Sequence, residues 1–166
     1  MKLQYLITLL FVHTTLLNAQ IDPEIYDKYE GQKVQIDGYN IHLEVKGEGD
    51  PIFFLHGGPG NSHDYMQGNF GQYYKTNKVV FVDFLGRGLS ENADSVCEYT
   101  VDNDVAYLES IREKLNLEKI SLVGHSYGAV HAQAYALKYP ERVEKMMLIN
   151  GFHSGEMWQA NCDSYN

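Results

Sequence analysis

The sequence predicts an α/β fold, in which a mostly parallel sheet is built from short buried strands joined by crossover helices. The first observation behind this prediction is a series of short apolar runs, a pattern typical of strands buried on both faces. The second is that helical patterns separate the later runs, because parallel neighbouring strands need a crossover connection. The apolar runs cover residues 51–55, 78–82, 119–123 and 145–149.

A β-hairpin is predicted ahead of these strands. Two alternating runs, 33–36 and 39–45, flank the pair Asp37-Gly38. Asp-Gly is a preferred pair for a two-residue hairpin turn, because both turn residues must adopt positive φ. We therefore expect two antiparallel strands at the start of the sheet.

Two helices are predicted between the later strands. Over residues 101–117, apolar side chains recur at helical spacing and share one face, which predicts an amphipathic helix against the sheet. Over residues 129–139, alanines leave room for close helix–sheet contact, and Pro140 follows where the helix is expected to end. Asp102 and Asp104 are interpreted as capping and dipole charges at the start of the first helix.

Composition excludes several function classes. A chain of 166 residues forms one domain at most, since domains usually have about 100–200 residues. Lys and Arg number 13 and Asp and Glu number 22, and the net charge of −9 disfavours binding to nucleic acid or anionic membranes.

The chain has no four-cysteine set, His-x-x-x-His or Cys-x-x-Cys pair, so we predict no metal site and no cofactor. Cys97 and Cys162 are expected to remain free thiols, and a disulfide between them is the alternative if the protein is exported.

Residues 1–19 are predicted to be a secretory signal peptide. Lys2 precedes a short apolar run over residues 3–12, and Ala19 is a small residue at the expected cleavage position. This run is shorter than the roughly 20 apolar residues that a membrane-spanning helix needs. The alternative is an amphipathic or buried N-terminal helix. We expect export to the periplasm or the extracellular space, with no stable membrane span after cleavage.

Ser126 is the predicted nucleophile. It lies in Gly124-His125-Ser126-Tyr127-Gly128, where an apolar run ends and the alanine-rich helix begins. Gly-x-Ser-x-Gly at a strand-to-helix turn is typical of a nucleophile elbow, whose tight backbone disfavours bulky residues two positions from the serine. The alternative is an ordinary serine in a turn.

A glycine-rich turn is predicted to form an oxyanion hole. His56-Gly57-Gly58-Pro59-Gly60 follows the run 51–55, so it is expected beside Ser126 at the carboxyl edge of the sheet. Backbone N–H groups in such a turn can stabilise the charge that develops on a carbonyl oxygen. Gly58 is the predicted donor, together with the N–H of Tyr127, the residue after the nucleophile. His56 is interpreted as a hydrogen-bonding brace for the turn rather than as a base.

These segments resemble the proline iminopeptidase branch of the α/β-hydrolases. The resemblance rests on segments 56–65, 82–90 and 124–128, in the order and spacing of that family, and extends from residue 33 to residue 151. It implies an α/β-hydrolase fold and a serine hydrolase that releases N-terminal residues, often proline, from peptides. It also implies that Asp83 supports the turn at 86–90 and that His125 points away from the nucleophile. His63 and Asp64 are expected to start a helix.

Two positions depart from the family pattern. Phe84 and Leu85 replace the Gln-Arg pair that is usual in proline iminopeptidases, and Tyr127 stands where tryptophan is frequent. Both departures favour a broader aminopeptidase, or an esterase of the same fold, over strict proline selectivity. The expected substrate is a small peptide or an ester.

The resemblance further implies an α/β-hydrolase fold truncated before the cap and the last strands. Residues 20–150 would form the N-terminal part of the hydrolase domain, and residues 151–166 the start of a cap region or a truncated tail. In this fold the catalytic acid and histidine follow the nucleophile. After Ser126, His131 lies within the predicted helix, which leaves His153 as the candidate stand-in base. His153 precedes the late acids Glu156 and Asp163, which is the wrong order for this fold, and absent strands would leave the last strand as an uncovered edge. We therefore expect the chain alone to be poorly soluble and without efficient activity, and a non-catalytic product is the alternative function.

Overall fold

The structure, a computed structural model, describes residues 30–152 and 154–156, and the predicted signal peptide lies outside them. Within these ranges, six strands form one sheet. The strands are β1 (Glu30–Ile36), β2 (Tyr39–Lys46), β3 (Pro51–Leu55), β4 (Lys78–Val82), β5 (Ile120–His125) and β6 (Val143–Ile149). The helices are α1 (Asp64–Phe70), α2 (Val101–Lys114) and α3 (Gly128–Lys138).

The sheet is mostly parallel with an antiparallel hairpin at one edge. The strand order is β1-β2-β4-β3-β5-β6. Strand β2 pairs antiparallel with both β1 and β4. Strand β3 pairs parallel with β4 and β5, and β5 pairs parallel with β6. In the hairpin turn, Asp37 and Gly38 have φ of 49° and 92°, as a two-residue turn of the predicted kind requires. The predicted fold class and the predicted hairpin are thus confirmed.

The main core lies between the sheet and the two longer helices. Val105, Leu108 and Ile111 on α2 are buried in it, as the helical spacing predicted. Tyr135 on α3 is fully buried in the same core. Helix α2 ends before the predicted residue 117 because Asn116 adopts φ of 54°, a left-handed conformation that commonly terminates helices.

Asp104 is not the capping charge that the sequence predicted. Thr100 caps α2 instead, and its hydroxyl accepts a hydrogen bond from the N–H of Asn103 at 3.1 Å. Asp104 is 1% exposed and accepts a hydrogen bond from Arg87 Nη1 at 2.8 Å. Its other carboxylate oxygen is 2.9 Å from His131 Nε2. Helical spacing places this side chain on the face of α2 that meets the core, where it needs buried partners.

β6 is an edge strand of the sheet in the described part of the chain. Met146, Met147 and Leu148 on β6 are 44%, 58% and 42% exposed. A groove of about 750 Å³ lies beside these residues and includes the starts of β3 and β5. Open α/β sheets bind ligands at the carboxyl ends of their strands. This groove therefore lies at the edge of the sheet opposite the one where ligands are expected.

Two further predictions concern membrane spans and thiols. None of the helices in the described ranges combines the length and the apolar character that a membrane crossing requires. Cys97 is exposed and is a free thiol. Cys162 lies outside the described residues.

Candidate active site

Ser126 lies on the turn between β5 and α3, where the sequence predicted it. Its φ is 53°, a left-handed conformation that costs a non-glycine residue about 1–3 kcal/mol. Its N–H donates to the carbonyl of Ile149 at 2.9 Å, and its own carbonyl accepts from the N–H of Ala129 at 3.0 Å. These two hydrogen bonds hold the strained backbone, which is the geometry typical of a nucleophile elbow.

Close packing requires the glycines around Ser126. A Cβ on Gly57 would lie 2.8 Å from the Cβ of Ser126, closer than real Cβ contacts. A Cβ on Gly124 would overlap the carbonyl oxygen of Gly128, and one on Gly128 would overlap that of Leu55. Larger residues at these positions would therefore push the turn away from β3. This confirms the steric argument for the glycines two positions from the serine.

Two N–H groups lie beside Ser126, one from the glycine-rich turn and one from the elbow. The N–H of Gly57 is already used, since it donates to Tyr65 Oη at 2.6 Å. Gly58 has φ of 66°, and no described residue accepts a hydrogen bond from its N–H. Tyr127 directly precedes α3, and the first N–H groups of a helix lack intrahelical acceptors. The N–H groups of Gly58 and Tyr127 can therefore bind an anionic oxygen.

One pocket contains all three predicted site residues. Its volume is about 290 Å³, near the lower end of the roughly 300–1,000 Å³ typical of small-molecule sites. Among the described residues, its lining includes no charged side chain. The lining consists of Gly58, Pro59, Ser126, Tyr127, Phe152 and Gly155.

No histidine of the described ranges hydrogen-bonds to Ser126. His125 Nδ1 lies 2.7 Å from Tyr65 Oη. His131 is held within the core by Asp104, as its position in the helix predicted. His153, the candidate stand-in base, lies outside the described residues. The described part of the site thus provides a serine and two available N–H groups without a base in contact.

His56 is buried under the glycine-rich turn. Its Nδ1 lies 3.1 Å from the carbonyl oxygen of Gly57, and its ring centroid is 5.5 Å from that of Phe84. Burial lowers the pKa of His56, which favours the neutral imidazole at neutral pH. These contacts suit the predicted brace for the turn better than a base.

A buried ion pair that sequence analysis missed holds the glycine-rich turn in place. Arg87 Nε donates to the carbonyl of Pro59 at 2.8 Å, while Arg87 Nη1 donates to Asp104. Arg87 is 7% exposed, so water screens this pair little. The pair links the turn to α2. The signal in the sequence was an acidic residue on the apolar face of α2, which requires a buried partner.

Asp83 supports the following turn, as the resemblance implied. Its Oδ2 accepts a hydrogen bond from the N–H of Leu89 at 2.9 Å, and its carbonyl accepts one from Ser90 Oγ at 2.6 Å. Its Oδ1 accepts a hydrogen bond from the N–H of His63 at 2.9 Å. Burial raises the pKa of Asp83, but its hydrogen bonds to His63 and Leu89 outweigh burial and lower it.

Phe84 and Leu85, where the chain departs from the iminopeptidase pattern, are core residues. Both are 1% exposed, and the ring centroid of Phe84 is 4.3 Å from that of His131. Neither side chain lines the pocket at Ser126. Any influence of this pair on selectivity therefore acts through packing rather than through contact with substrate.

Known proteins similar to this chain indicate its family. The family model of the alpha/beta hydrolase fold matches residues 50–164. A proline iminopeptidase from Saccharolobus solfataricus is 38% identical over 134 residues, which cover 75% of this chain and 41% of the relative. A cis-3-alkyl-4-alkyloxetan-2-one decarboxylase from Shewanella oneidensis is 33% identical over 121 residues, covering 70% of this chain and 38% of the relative.

A solved structure has the same fold. A proline iminopeptidase-related protein from Thermus thermophilus aligns with a TM-score of 0.70 and 28% identity, covering 75% of this chain and 45% of that protein. The chain spans less than half the length of these relatives. The named activities of these relatives differ, so the similarity establishes the family but not the reaction. By the family match and the strand-turn-helix around Ser126, this chain belongs to the α/β-hydrolase fold family.

Proposed function

We propose that this chain carries the nucleophile and the oxyanion hole of a serine hydrolase that releases N-terminal residues from peptides. The observation that carries the proposal is the strained backbone of Ser126, directly beside the glycine-rich turn. Ser126 would be the nucleophile, and Gly58 and Tyr127 would donate to the oxyanion. Similarity to proline iminopeptidases supports peptides as the substrate class.

The proposed reaction is acyl transfer. Ser126 Oγ attacks the carbonyl carbon of the scissile amide, and its proton passes to a general base that no described residue supplies. The carbonyl oxygen becomes negative and is stabilised by the two N–H groups, each of which is typically worth about 10²–10³ in kcat. The base then protonates the leaving amine, and water hydrolyses the acyl-enzyme.

An esterase is the second candidate function, and the pocket lining favours it. An aminopeptidase recognises the α-ammonium group of its substrate, for which a carboxylate is the strongest partner. In the described residues, Pro59 and Phe152 line the pocket and no carboxylate does. An acyl ester requires no such partner.

Substrate preference separates the two candidates. We expect the protein expressed from its native gene to release naphthylamine from proline or alanine naphthylamide. N-acetylation of either substrate should abolish this release, because the α-ammonium group is lost. Steady-state rates on each pair of substrates, with nitrophenyl acyl esters in parallel, measure the difference. Faster hydrolysis of the esters than of any free-amine substrate would overturn the peptidase proposal and support the esterase.

We also propose that the protein is exported. The support is the sequence pattern of residues 1–19, which the structure does not describe. The mature protein is expected to begin at Gln20 and to be recovered outside the cytoplasm, as N-terminal sequencing after cell fractionation would measure. Leu9→Arg combined with Leu10→Arg should retain it inside, because charges disrupt the apolar segment. Wild-type protein that begins at Met1 and stays in the cytosol would contradict export.

A further inference from the structure

Four side chains form a histidine–carboxylate cluster outside the pocket at Ser126. His42 and Glu44 lie on β2, His63 directly precedes α1, and Asp83 directly follows β4. His42, His63 and Asp83 are 6%, 1% and 0% exposed. One potential metal-ligating atom from each of these three lies within 4.8 Å of the other two.

Two imidazole nitrogens in the cluster face one carboxylate oxygen. His63 Nε2 lies 3.2 Å from Glu44 Oε1, and His42 Nε2 lies 3.6 Å from the same oxygen. Both nitrogens are buried, and neither makes a well-aligned hydrogen bond to a described residue. Buried polar atoms are usually hydrogen-bonded or bind an ion. These two nitrogens therefore point to an occupant between them and Glu44.

Hydrogen bonds from neighbouring side chains hold His63 and Glu44 in the way that such bonds hold known metal ligands. His63 Nδ1 is 2.9 Å from Asp83 Oδ1, so a neutral imidazole there carries its proton on Nδ1 and its lone pair on Nε2. Carboxylate–histidine pairs of this kind fix the orientation of metal-bound histidines. Gln67 Nε2 donates to Glu44 Oε2, which leaves Oε1 for the two histidines.

We propose that His42, Glu44 and His63 bind a divalent transition metal ion of the zinc class. Zinc lies about 2.0–2.2 Å from histidine nitrogens and carboxylate oxygens. With the metal at such distances, His63 Nε2 and Glu44 Oε1, which are 3.2 Å apart, would subtend roughly 100° at the metal. His42 Nε2 and Glu44 Oε1, which are 3.6 Å apart, would subtend roughly 120°. These angles lie on either side of the tetrahedral angle. Three protein ligands leave the fourth position to water.

Charge in the cluster also favours a divalent cation. Asp83 and Glu44 bring two carboxylates to the imidazoles of the cluster, and the exposed carboxylate of Asp64 lies 3.7 Å from His63 Nε2. Buried charges are costly unless they are paired or coordinate a metal. A divalent ion held by His42, Glu44 and His63 would bring two positive charges close to these carboxylates.

Sheet topology, not local spacing, brings these ligands together. His42 and Glu44 are two residues apart on β2, so they share one face of the strand. Asp83 is adjacent because its N–H donates to the carbonyl of His42 at 3.1 Å. Gly31 on β1 leaves space for the ring, since a Cβ there would lie 2.8 Å from His42 Cε1. Ligands dispersed in this way form none of the closely spaced motifs whose absence led to the prediction of no metal site.

Zinc uptake tests the proposal directly. The protein, purified without a histidine tag, is stripped with EDTA, dialysed against zinc chloride and analysed for metal by mass spectrometry. We expect about one zinc ion per chain, with uptake lost in His42→Gln and in Glu44→Gln. His125→Gln is the matched control, because it removes a histidine outside the cluster and should keep full uptake. Zinc should raise the melting temperature of the wild type and the control but of neither cluster variant.

Two results would overturn the metal site. Wild-type protein without zinc uptake would show that a proton on His63 completes the cluster as an ion pair. Equal uptake by the wild type and all three variants would show adventitious binding. Far-UV circular dichroism of each metal-free variant checks its folding. Should a cluster variant unfold, the wild-type stoichiometry and the visible spectrum of bound Co²⁺, which reports its coordination geometry, decide the question.

Discussion

Ser126→Ala is expected to lower the rate of hydrolysis by about 10⁶-fold, the loss typical for removing a catalytic serine. The reason is that no acyl-enzyme can form without the hydroxyl, while the oxyanion hole and substrate binding retain only about 10³–10⁴ over water. Alanine removes a single oxygen, so the hydrogen bonds of the Ser126 backbone to Ile149 and Ala129 remain. Steady-state kinetics and labelling by a fluorophosphonate probe, on protein expressed from its native gene, measure the effect.

Ser62→Ala is the matched control for the nucleophile. Ser62 lies just after the glycine-rich turn, and its hydroxyl donates to Asp64 Oδ2 at 2.7 Å. It does not line the pocket at Ser126, so probe labelling of this variant should match the wild type. Equal labelling of Ser126→Ala and the wild type would show that the nucleophile is another residue.

Asp104→Ala is expected to reduce the free energy of unfolding by about 3–5 kcal/mol, the usual cost of breaking a buried ion pair. The substitution leaves the Arg87 guanidinium buried without its carboxylate and also removes the partner of His131. Since domains are stable by only about 5–15 kcal/mol, this loss is a large share of the total. Urea denaturation followed by circular dichroism measures it.

Asp102→Ala is the control for position 104. Asp102 lies in the same first turn of α2 but is exposed, so its loss should cost about 0.3–1 kcal/mol of favourable helix-dipole interaction. Equal destabilisation by the two variants would contradict the buried ion pair. Asp104→Asn keeps the shape of the side chain, and we expect most of the loss to persist because the negative charge is gone.

Local sequence signals predicted most of the elements. The hairpin turn followed from Asp37-Gly38, because two-residue turns require positive φ at both positions. The elbow at Ser126 followed from its flanking glycines, whose Cβ atoms would collide with neighbouring backbone. The buried face of α2 followed from the spacing of its apolar residues. In each case the residues that signal the element lie close together in sequence, so the chain alone displays the pattern.

Element ends were less accurate because neighbours influence them. Helix α2 stops at Lys114 rather than at residue 117, because Asn116 adopts a left-handed conformation that turns the chain towards β5. β6 begins at Val143, two residues before the predicted run, since pairing with β5 extends it past an irregularity in register at Ile120.

By itself, the sequence determined the mostly parallel sheet, the serine on its strand-to-helix turn and the glycine-rich turn that was expected beside it. Only the tertiary structure decided that Asp104 pairs with Arg87 and that Tyr65 Oη accepts a hydrogen bond from the N–H of Gly57. It likewise decided that His42 and His63 both contact Glu44. The physical reason is distance along the chain. Partners of buried polar groups are chosen by strand order and packing between elements far apart in sequence, and no local pattern of residues records that choice.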